Sequence, residues 1–264
     1  MVQQLAPLDA SPELEAAGLR FGAKGMHTTR TMMVAEMRDL LAEVPRGAAR
    51  EEYAHAIVEE NVLGKQTVAT RRLTNTRLGE LYSLDPRIPV FRVLRRLWEL
   101  DVDGRPLLAL LCAIGRDPIL RCTVPSIIGL PVGSELVRTD FSRSIRDATG
   151  SRFNESTLDK VARNVGSTWT QSGHLHGRVR KARQRVNATV GSAAFAIWLG
   201  EKMGLAGAHL LDSGWARILD STAGEMVELA LRAKQLGLIR ARIGGGVVEI
   251  DAGRLDDMGG QIDE

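Results

Sequence analysis

The chain is poor in aromatic residues and in cysteine, and both shortages limit what kind of protein it can be. Aromatic residues make up 4% of the 264 residues, so the core has to be built from Leu, Val, Ile and Ala, a composition that favours helices. Two cysteines, Cys112 and Cys122, are too few for a disulfide framework and indicate a reduced, cytoplasmic protein. The longest apolar run, residues 107–114, is too short to span a bilayer. The N-terminal residues also lack a signal-peptide pattern.

Catalytic and metal-binding patterns are also missing from the sequence. It contains no Gly-x-Ser-x-Gly elbow and no Walker loop. His174 and His176 stand in a glycine-flanked loop without the further ligands of a closed zinc site. Asp101 and Asp103, followed by glycine, are typical of a turn. The sequence therefore predicts a non-enzymatic protein without cofactor or metal. An enzyme that processes nucleic acid is the alternative, and the lack of an acidic cluster on a common face disfavours it.

Basic residues are unevenly placed, although the formal net charge is only +3. Bases greatly outnumber acids between positions 65 and 96, and no acid occurs among the bases of positions 176–190. In the C-terminal residues 251–264 the local charge is negative, because the acids there are balanced by a single base, Arg254. Two basic blocks and an acidic tail indicate a polyanionic partner, nucleic acid first among the candidates.

Residues 60–78 have the pattern of a helix-turn-helix. Apolar spacing predicts helices at about 50–61 and 67–82, with Gly64 in the turn between them. In such a motif the start of the second helix meets the DNA major groove. We expect Val68, Ala69 and Leu73, with two later leucines, to face the core. The side chains assigned here to DNA contact are Lys65, Gln66, Thr67, Thr70, Arg71, Arg72, Asn75 and Arg77. A solvated basic helix face is the simpler alternative.

Two further basic surfaces follow along the chain. The block of positions 176–190 is interpreted as a surface helix or linker whose bases contact phosphate. Those bases are Arg178, Arg180, Lys181, Arg183 and Arg185. Helices after position 193, followed by strands at 238–243 and 247–250 around a triple glycine, describe a winged-helix unit with Arg240 and Arg242 on its wing. That unit serves dimerisation or protein docking equally well.

The predicted fold is mainly α, a helical bundle with an N-terminal helix-turn-helix domain and a C-terminal winged-helix unit carrying a β-hairpin wing. Further helices are expected at about 28–43, 88–100, 104–116, 118–129, 134–147 and 154–170. The predicted division is an N-terminal extension 1–27, a helical helix-turn-helix domain 28–172, a basic linker or helix 173–190, a winged-helix-like domain 191–252 and a disordered acidic tail 253–264.

Several segments of the chain resemble BrxA, a small component of the BREX bacteriophage-exclusion systems. The resemblance lies in residues 56–63, 65–72, 77–81, 107–113 and 156–161, and it covers about 28–170. It implies a mainly helical protein that binds double-stranded DNA without enzymatic activity, beside partners that methylate host DNA and block phage replication. It also implies that the DNA-facing residues are the helix-turn-helix side chains named above, except Arg72. The C-terminal unit departs from the family core, which leaves the role of 190–252 open.

Together these features predict a double-stranded-DNA-binding protein of a bacterial defence system, with low sequence specificity and strong salt dependence. Other defence proteins, and a second copy of the chain, are the further partners considered, and no membrane is involved. The alternatives are an assembly adaptor that docks partner defence proteins and a transcription regulator. The sequence does not distinguish DNA from structured RNA.

Overall fold

A computed structural model describes residues 10–22 and 24–257, and these form a mainly helical protein. The α-helices are α1 Pro12–Ala16, α2 Val34–Glu43, α3 Arg50–Val58, α4 Val68–Tyr82, α5 Pro89–Leu100, α6 Arg105–Arg116, α7 Pro118–Arg121, α8 Val124–Ile128, α9 Arg138–Thr149, α10 Glu155–Gln171, α11 Val190–Lys202, α12 Ala208–Leu211, α13 Gly214–Ile218 and α14 Ala223–Gln235. Two antiparallel strand pairs are β1 Leu175–His176 with β2 Ala182–Arg183, and β3 Arg240–Gly244 with β4 Val247–Asp251. Within the described residues, no helix is long and apolar enough to cross a membrane.

Helices α2, α3 and α4 form a three-helix unit, in which α3 packs against both of the others. The predicted helix at 67–82 is confirmed, because its ends are encoded locally. The Thr67 hydroxyl accepts a hydrogen bond from the Thr70 backbone N–H at 3.1 Å, and Ser83 ends the helix with a φ of 73°. The connection from α3 turns through Gly64, whose φ is 59°, and is longer than the roughly three- to four-residue turn of a minimal helix-turn-helix.

The largest differences between predicted and observed helices are at two places. The helix expected at 28–43 begins only at Val34, since Met26–Thr28 is a 3-10 turn and Met33 has a left-handed φ of 54°. The helix expected at 118–129 is split into α7 and α8. Pro125 has no N–H to donate to the carbonyl four residues earlier, so one continuous helix is interrupted there.

The core is built around α6 and α11, which pack against each other and against α5. Both helices are apolar on nearly every side, with residues 107–115 and 191–200 all buried. Helices that are hydrophobic all round belong at the centre of a protein. The buried cluster runs from Leu14 to Leu255. It therefore continues across the predicted boundaries near 172 and 190, whose status as domain limits stays a prediction.

The basic block at 173–190 is neither a helix nor an open linker. Its centre forms the β1–β2 pair, and Gly177 at the turn has a φ of 100°. Arg183, at the end of β2, is 3% exposed. Its guanidinium group forms an ion pair with Asp220 and donates to the Ile127 carbonyl at 3.0 Å. The segment therefore ties the N-terminal helices to α13 and the residues after it.

The predicted C-terminal hairpin is confirmed. Strands β3 and β4 pair from Arg240↔Asp251 to Gly244↔Val247, with the glycines at the turn. The start of the predicted acidic tail is ordered, contrary to expectation. Residues 253–255 form a 3-10 turn that buries Leu255, and Asp256 pairs with Lys202 at 2.5 Å. The rest of that tail, 258–264, and residues 1–9 and 23 of the N-terminal extension lie outside the described residues.

Replacing Arg183 by alanine should lower the free energy of unfolding by about 3 kcal/mol, because it leaves the largely buried Asp220 carboxylate without its partner. The matched control is Arg180→Ala on the turn that precedes β2, where an exposed guanidinium group lies 3.7 Å from Glu135. That control should change the free energy by less than about 1 kcal/mol. Urea titrations of both variants measure the difference, and equal midpoints would contradict the structural role of Arg183.

Candidate nucleic-acid interface

The first turns of α4 project beyond the core, so the exposed face of this helix differs from the expected one. Val68 is 47% and Leu73 40% exposed, and Ala69 is exposed too, although all three were expected to be buried. Thr74, which was expected to face outward, is 5% exposed. The buried stripe consists of Thr74, Leu78, Leu81 and Tyr82. This helical spacing places the N-terminal third of α4 outside the core.

Two of the predicted DNA-contacting side chains hold α4 and the segment before it against the neighbouring helices. Lys65 Nζ lies 3.1 Å from Glu36 Oε1 on α2. Arg71 Nη1 donates to the Val58 carbonyl at the end of α3, at 2.8 Å. Both basic groups are therefore engaged within the protein, and their positive charges are partly neutralised or turned toward the fold.

Two more of the predicted DNA-contacting residues, farther along α4, also bond to groups within the protein. Asn75 Oδ1 accepts a hydrogen bond from Arg50 Nη2 at 2.8 Å. Arg77 Nη1 lies 3.5 Å from the Met26 sulfur and 3.7 Å from Glu80 Oε2. These contacts position α4, so Asn75 and Arg77 stabilise the unit in this conformation.

The side chains that remain open on α4 are at its start. Gln66, Thr67 and Arg72 are exposed, and Thr70 is partly buried, with its hydroxyl 2.9 Å from that of Thr67. Within the part of the chain that the structure describes, the Arg72 side chain has neither an ion-pair nor a hydrogen-bond partner. The predicted recognition surface is thus reduced to the first two turns.

The basic β1–β2 segment contributes unequally. Arg178 is exposed and, among the described residues, has no ion-pair partner. Lys181 Nζ bonds the Thr170 hydroxyl at 2.8 Å and has no carboxylate partner there. Arg180 is exposed near Glu135, and Arg185 pairs with Glu225 at 2.5 Å. Because Arg183 is buried, it cannot reach a phosphate in this conformation.

The charges of the wing are balanced. Arg240 Nη1 lies 3.3 Å from Asp251 Oδ2, and Arg242 stands opposite Glu249 in the strand register. Each basic residue therefore has a facing acid across the hairpin, which lowers its attraction for a phosphate backbone.

Sequence reasoning missed a groove between α9 and α10. It has a volume of about 320 Å³ and brings Arg138 and Arg163 beside Arg178 and Lys181. These residues lie far apart in the sequence, and Arg138 and Arg163 belong to no basic block. Only the packing of α9 on α10 and the turn of the β1–β2 pair bring them together.

A buried hydroxyl, imidazole and carboxylate form a relay at the centre of the N-terminal half. His27 Nδ1 lies 2.8 Å from Asp117 Oδ2, and His27 Nε2 lies 2.7 Å from Thr168 Oγ1. Burial alone would raise the pKa of Asp117, but the charge and hydrogen bonds of His27 hold that pKa below its ordinary value. All three side chains are buried, so none of them reaches a substrate in this conformation and the relay joins segments of the fold.

His174 is a second buried histidine. Its Nδ1 lies 2.9 Å from the Ser172 hydroxyl and its Nε2 2.7 Å from the Ile218 carbonyl. Burial lowers the pKa of His174 to about 4. His176 is exposed, so the two histidines do not face one cavity. Among the described residues, no group of three or more His, Cys, Asp or Glu side chains is placed to hold a metal ion.

Comparison with known proteins does not place the chain in a family. No protein-family model matches the sequence, and no curated protein matches it with significant similarity. The resemblance to BrxA therefore rests on the segments quoted from the sequence.

The free energy of unfolding should fall as the pH drops from about 6.5 to about 4, because the unfolded chain binds a proton at His174 that the folded protein excludes. At the low end of this range, His174 lowers the free energy of unfolding by about 3 kcal/mol relative to neutral pH. In His174→Gln, whose amide still donates a hydrogen bond, this part of the pH dependence should disappear. His176→Gln is the control, and chemical denaturation between pH 4 and 7 compares the variants. An unchanged pH dependence in His174→Gln would exclude this role.

Proposed function

We propose that this chain is a non-enzymatic, cytoplasmic protein that binds double-stranded DNA through the exposed start of α4. The observation that supports this most directly is the placement of α4, the third helix of the α2–α4 unit, with its first turns outside the core. A helix-turn-helix presents its second helix to the major groove in this way. The N-terminal amides of α4 add a partial positive charge that favours a phosphate.

The exposed side chains supply the chemistry for such contact. The Arg72 guanidinium can pair with a phosphate in a bidentate way. Gln66 offers the donor and acceptor that recognise an adenine edge, and the apolar Val68 and Leu73 can contact thymine methyl groups. Few side chains are available to read bases, so we propose low sequence specificity and an affinity that depends strongly on salt.

The C-terminal unit supports the second candidate function, an assembly adaptor. The order of α11 to α14 followed by β3 and β4 fits a winged helix, in which α14 would be the recognition helix. However, α14 has Glu225 in its first turn and carries the exposed Glu228. Carboxylates at that position would repel a phosphate backbone. We therefore propose that this unit docks a protein partner, a role that includes other defence proteins or a second copy of the chain.

The cellular setting is proposed from the resemblance to BrxA. A role in BREX-type phage defence fits a DNA-binding protein with a docking unit, since such a protein brings partners to DNA. A transcription regulator is the remaining alternative, and it requires a preferred DNA sequence.

Arg72→Ala should weaken binding to a duplex roughly ten- to a hundredfold at low salt, because a charge-assisted contact is worth about 1.5–3 kcal/mol. Gln66→Ala should have a smaller effect. The control is Arg87→Ala, an exposed arginine beyond the opposite end of α4 that pairs with Asp85 at 2.8 Å. Fluorescence anisotropy with a labelled duplex over a salt series gives the affinities. If the well-folded Arg72→Ala variant binds as tightly as Arg87→Ala, α4 is not the recognition surface.

In cells that carry the complete set of neighbouring defence genes, Arg72→Ala should reduce protection against phage. The plating efficiency of phage should rise toward that on cells that lack this gene. The reason is that the proposed defence role depends on DNA contact. Arg87→Ala should retain protection. Retained protection by Arg72→Ala, together with nuclease-resistant co-purification of partner proteins, would favour the adaptor function.

A further inference from the structure

The groove between α9 and α10 is lined by cationic side chains and by no carboxylate. Its basic residues are Arg138 on α9, Arg163 on α10, and Arg178 and Lys181 from the β1–β2 turn. The apolar part of its lining comes from Leu136, Phe141 and Val179. Such a concave surface with an excess of cations attracts anions, since low-dielectric walls strengthen the field of the surrounding charges.

Packing holds Lys181 in place at the groove. Its aliphatic chain crosses α10 at Gly166, where a Cβ atom would lie 3.5 Å from Lys181 Cδ and Cε. Its ammonium group bonds the Thr170 hydroxyl at 2.8 Å. Phe141, 1% exposed, lines the same groove. The charge is thus fixed at the wall, which reduces the entropy lost when an anion binds.

Among the described residues, Arg178 has no competing partner, and the other two arginines are only weakly paired. Arg138 and Arg163 both lie 3.2 Å from the exposed carboxylate of Asp159. Exposed ion pairs of this kind contribute about 0–1 kcal/mol. A phosphate can therefore replace the carboxylate at little cost, and Arg178 can bind one without breaking any pair.

The cationic surface continues along α9. A neighbouring depression of about 310 Å³ shares Arg138 and adds Arg143 and Arg146, and its wall also includes Glu155 and Asp159. From Arg138 to Arg146 the helix rises about 12 Å, a length of roughly three to four nucleotide steps of one strand at about 3.4 Å each. Arg146 pairs with Glu155 at 2.7 Å, also on the surface. The elongated shape fits a chain of phosphates better than a single phosphate.

We infer that the α9–α10 groove binds the phosphodiester backbone of DNA, as a second contact surface in addition to the start of α4. The inference rests on the proposed DNA binding and extends it. It assigns a phosphate-binding role to Arg138 and Arg163, which no sequence motif marks. Phosphate contacts position a protein on DNA without reading its sequence.

The inference is tested with two charge-changing variants in the full chain. Arg178→Glu removes the unpartnered cation, and Ser167→Glu adds a carboxylate at the rim while all four cations stay. Each should weaken duplex binding roughly tenfold or more at low salt, and Arg178→Glu should reduce the slope of log K against log salt by about 0.9. The control Arg87→Glu has the same change in net charge as Arg178→Glu. Fluorescence anisotropy with a labelled duplex measures all three, and circular dichroism confirms folding.

The outcomes separate this inference from the proposed function. Loss of duplex affinity in both groove variants, beyond that of Arg87→Glu, supports the groove. If the groove variants bind duplex like Arg87→Glu while Arg72→Ala is weakened, DNA binding by α4 stands and the groove inference is overturned. A second arm uses inorganic triphosphate as a competitor and as a direct ligand. Triphosphate binding that Arg178→Glu abolishes, with duplex binding unchanged, would likewise overturn the inference, because the groove would then hold small phosphates.

Discussion

The Asp117 carboxylate is the group on which much of this structure depends. Its Oδ1 accepts backbone N–H groups of Ile119 and Leu120 at the start of α7. Its Oδ2 accepts the backbone N–H groups of Met26 and His27 at 2.6 and 3.0 Å and lies beside the His27 ring. One buried charge therefore satisfies several donors from segments far apart in the chain. Removing it would leave buried donors without partners, which is more costly than the loss of the bonds themselves.

The same contacts connect the two surfaces proposed to meet DNA. From His27 the relay reaches Thr168 on α10, and the Asn164 amide, also on α10, donates to the His27 carbonyl at 2.9 Å. On the other side, Met26 lies against Arg77 of α4. The Tyr82 hydroxyl of α4 donates to the Met32 carbonyl at 2.5 Å. Helices α4 and α10 are thus attached to one short segment, so a duplex that touched both would meet a fixed spacing.

The helices could be predicted from the sequence wherever their limits are local. Thr67 and Asn154 cap α4 and α10 through their own side chains, and the predicted spans at 67–82 and 154–170 match the structure closely. The direction of individual side chains was less predictable, because their partners are distant in sequence. Arg71 turns toward a carbonyl of α3 and Arg183 toward Asp220, contacts that exist only after folding. The groove has the same origin, since its cations come from α9, α10 and the β1–β2 turn.

Arginine in this chain has two roles, and separating them changes what the basic charge means. Arg183 and Arg95 are buried and bond backbone carbonyls, so they add to the positive charge of the chain without being available to a ligand. On α4, Arg72 is the arginine whose guanidinium is both exposed and unpartnered in the described chain. A single phosphate contact gives a salt slope of only about −0.9, whereas strongly salt-dependent binding, such as that of a protein with roughly six to ten phosphate contacts, has a slope several times steeper. If α4 reads DNA, most of the attraction for the backbone must come from another surface. The α9–α10 groove has the required features, because Lys181 is held in place there and its arginines are either unpaired in the described chain or paired only at the surface.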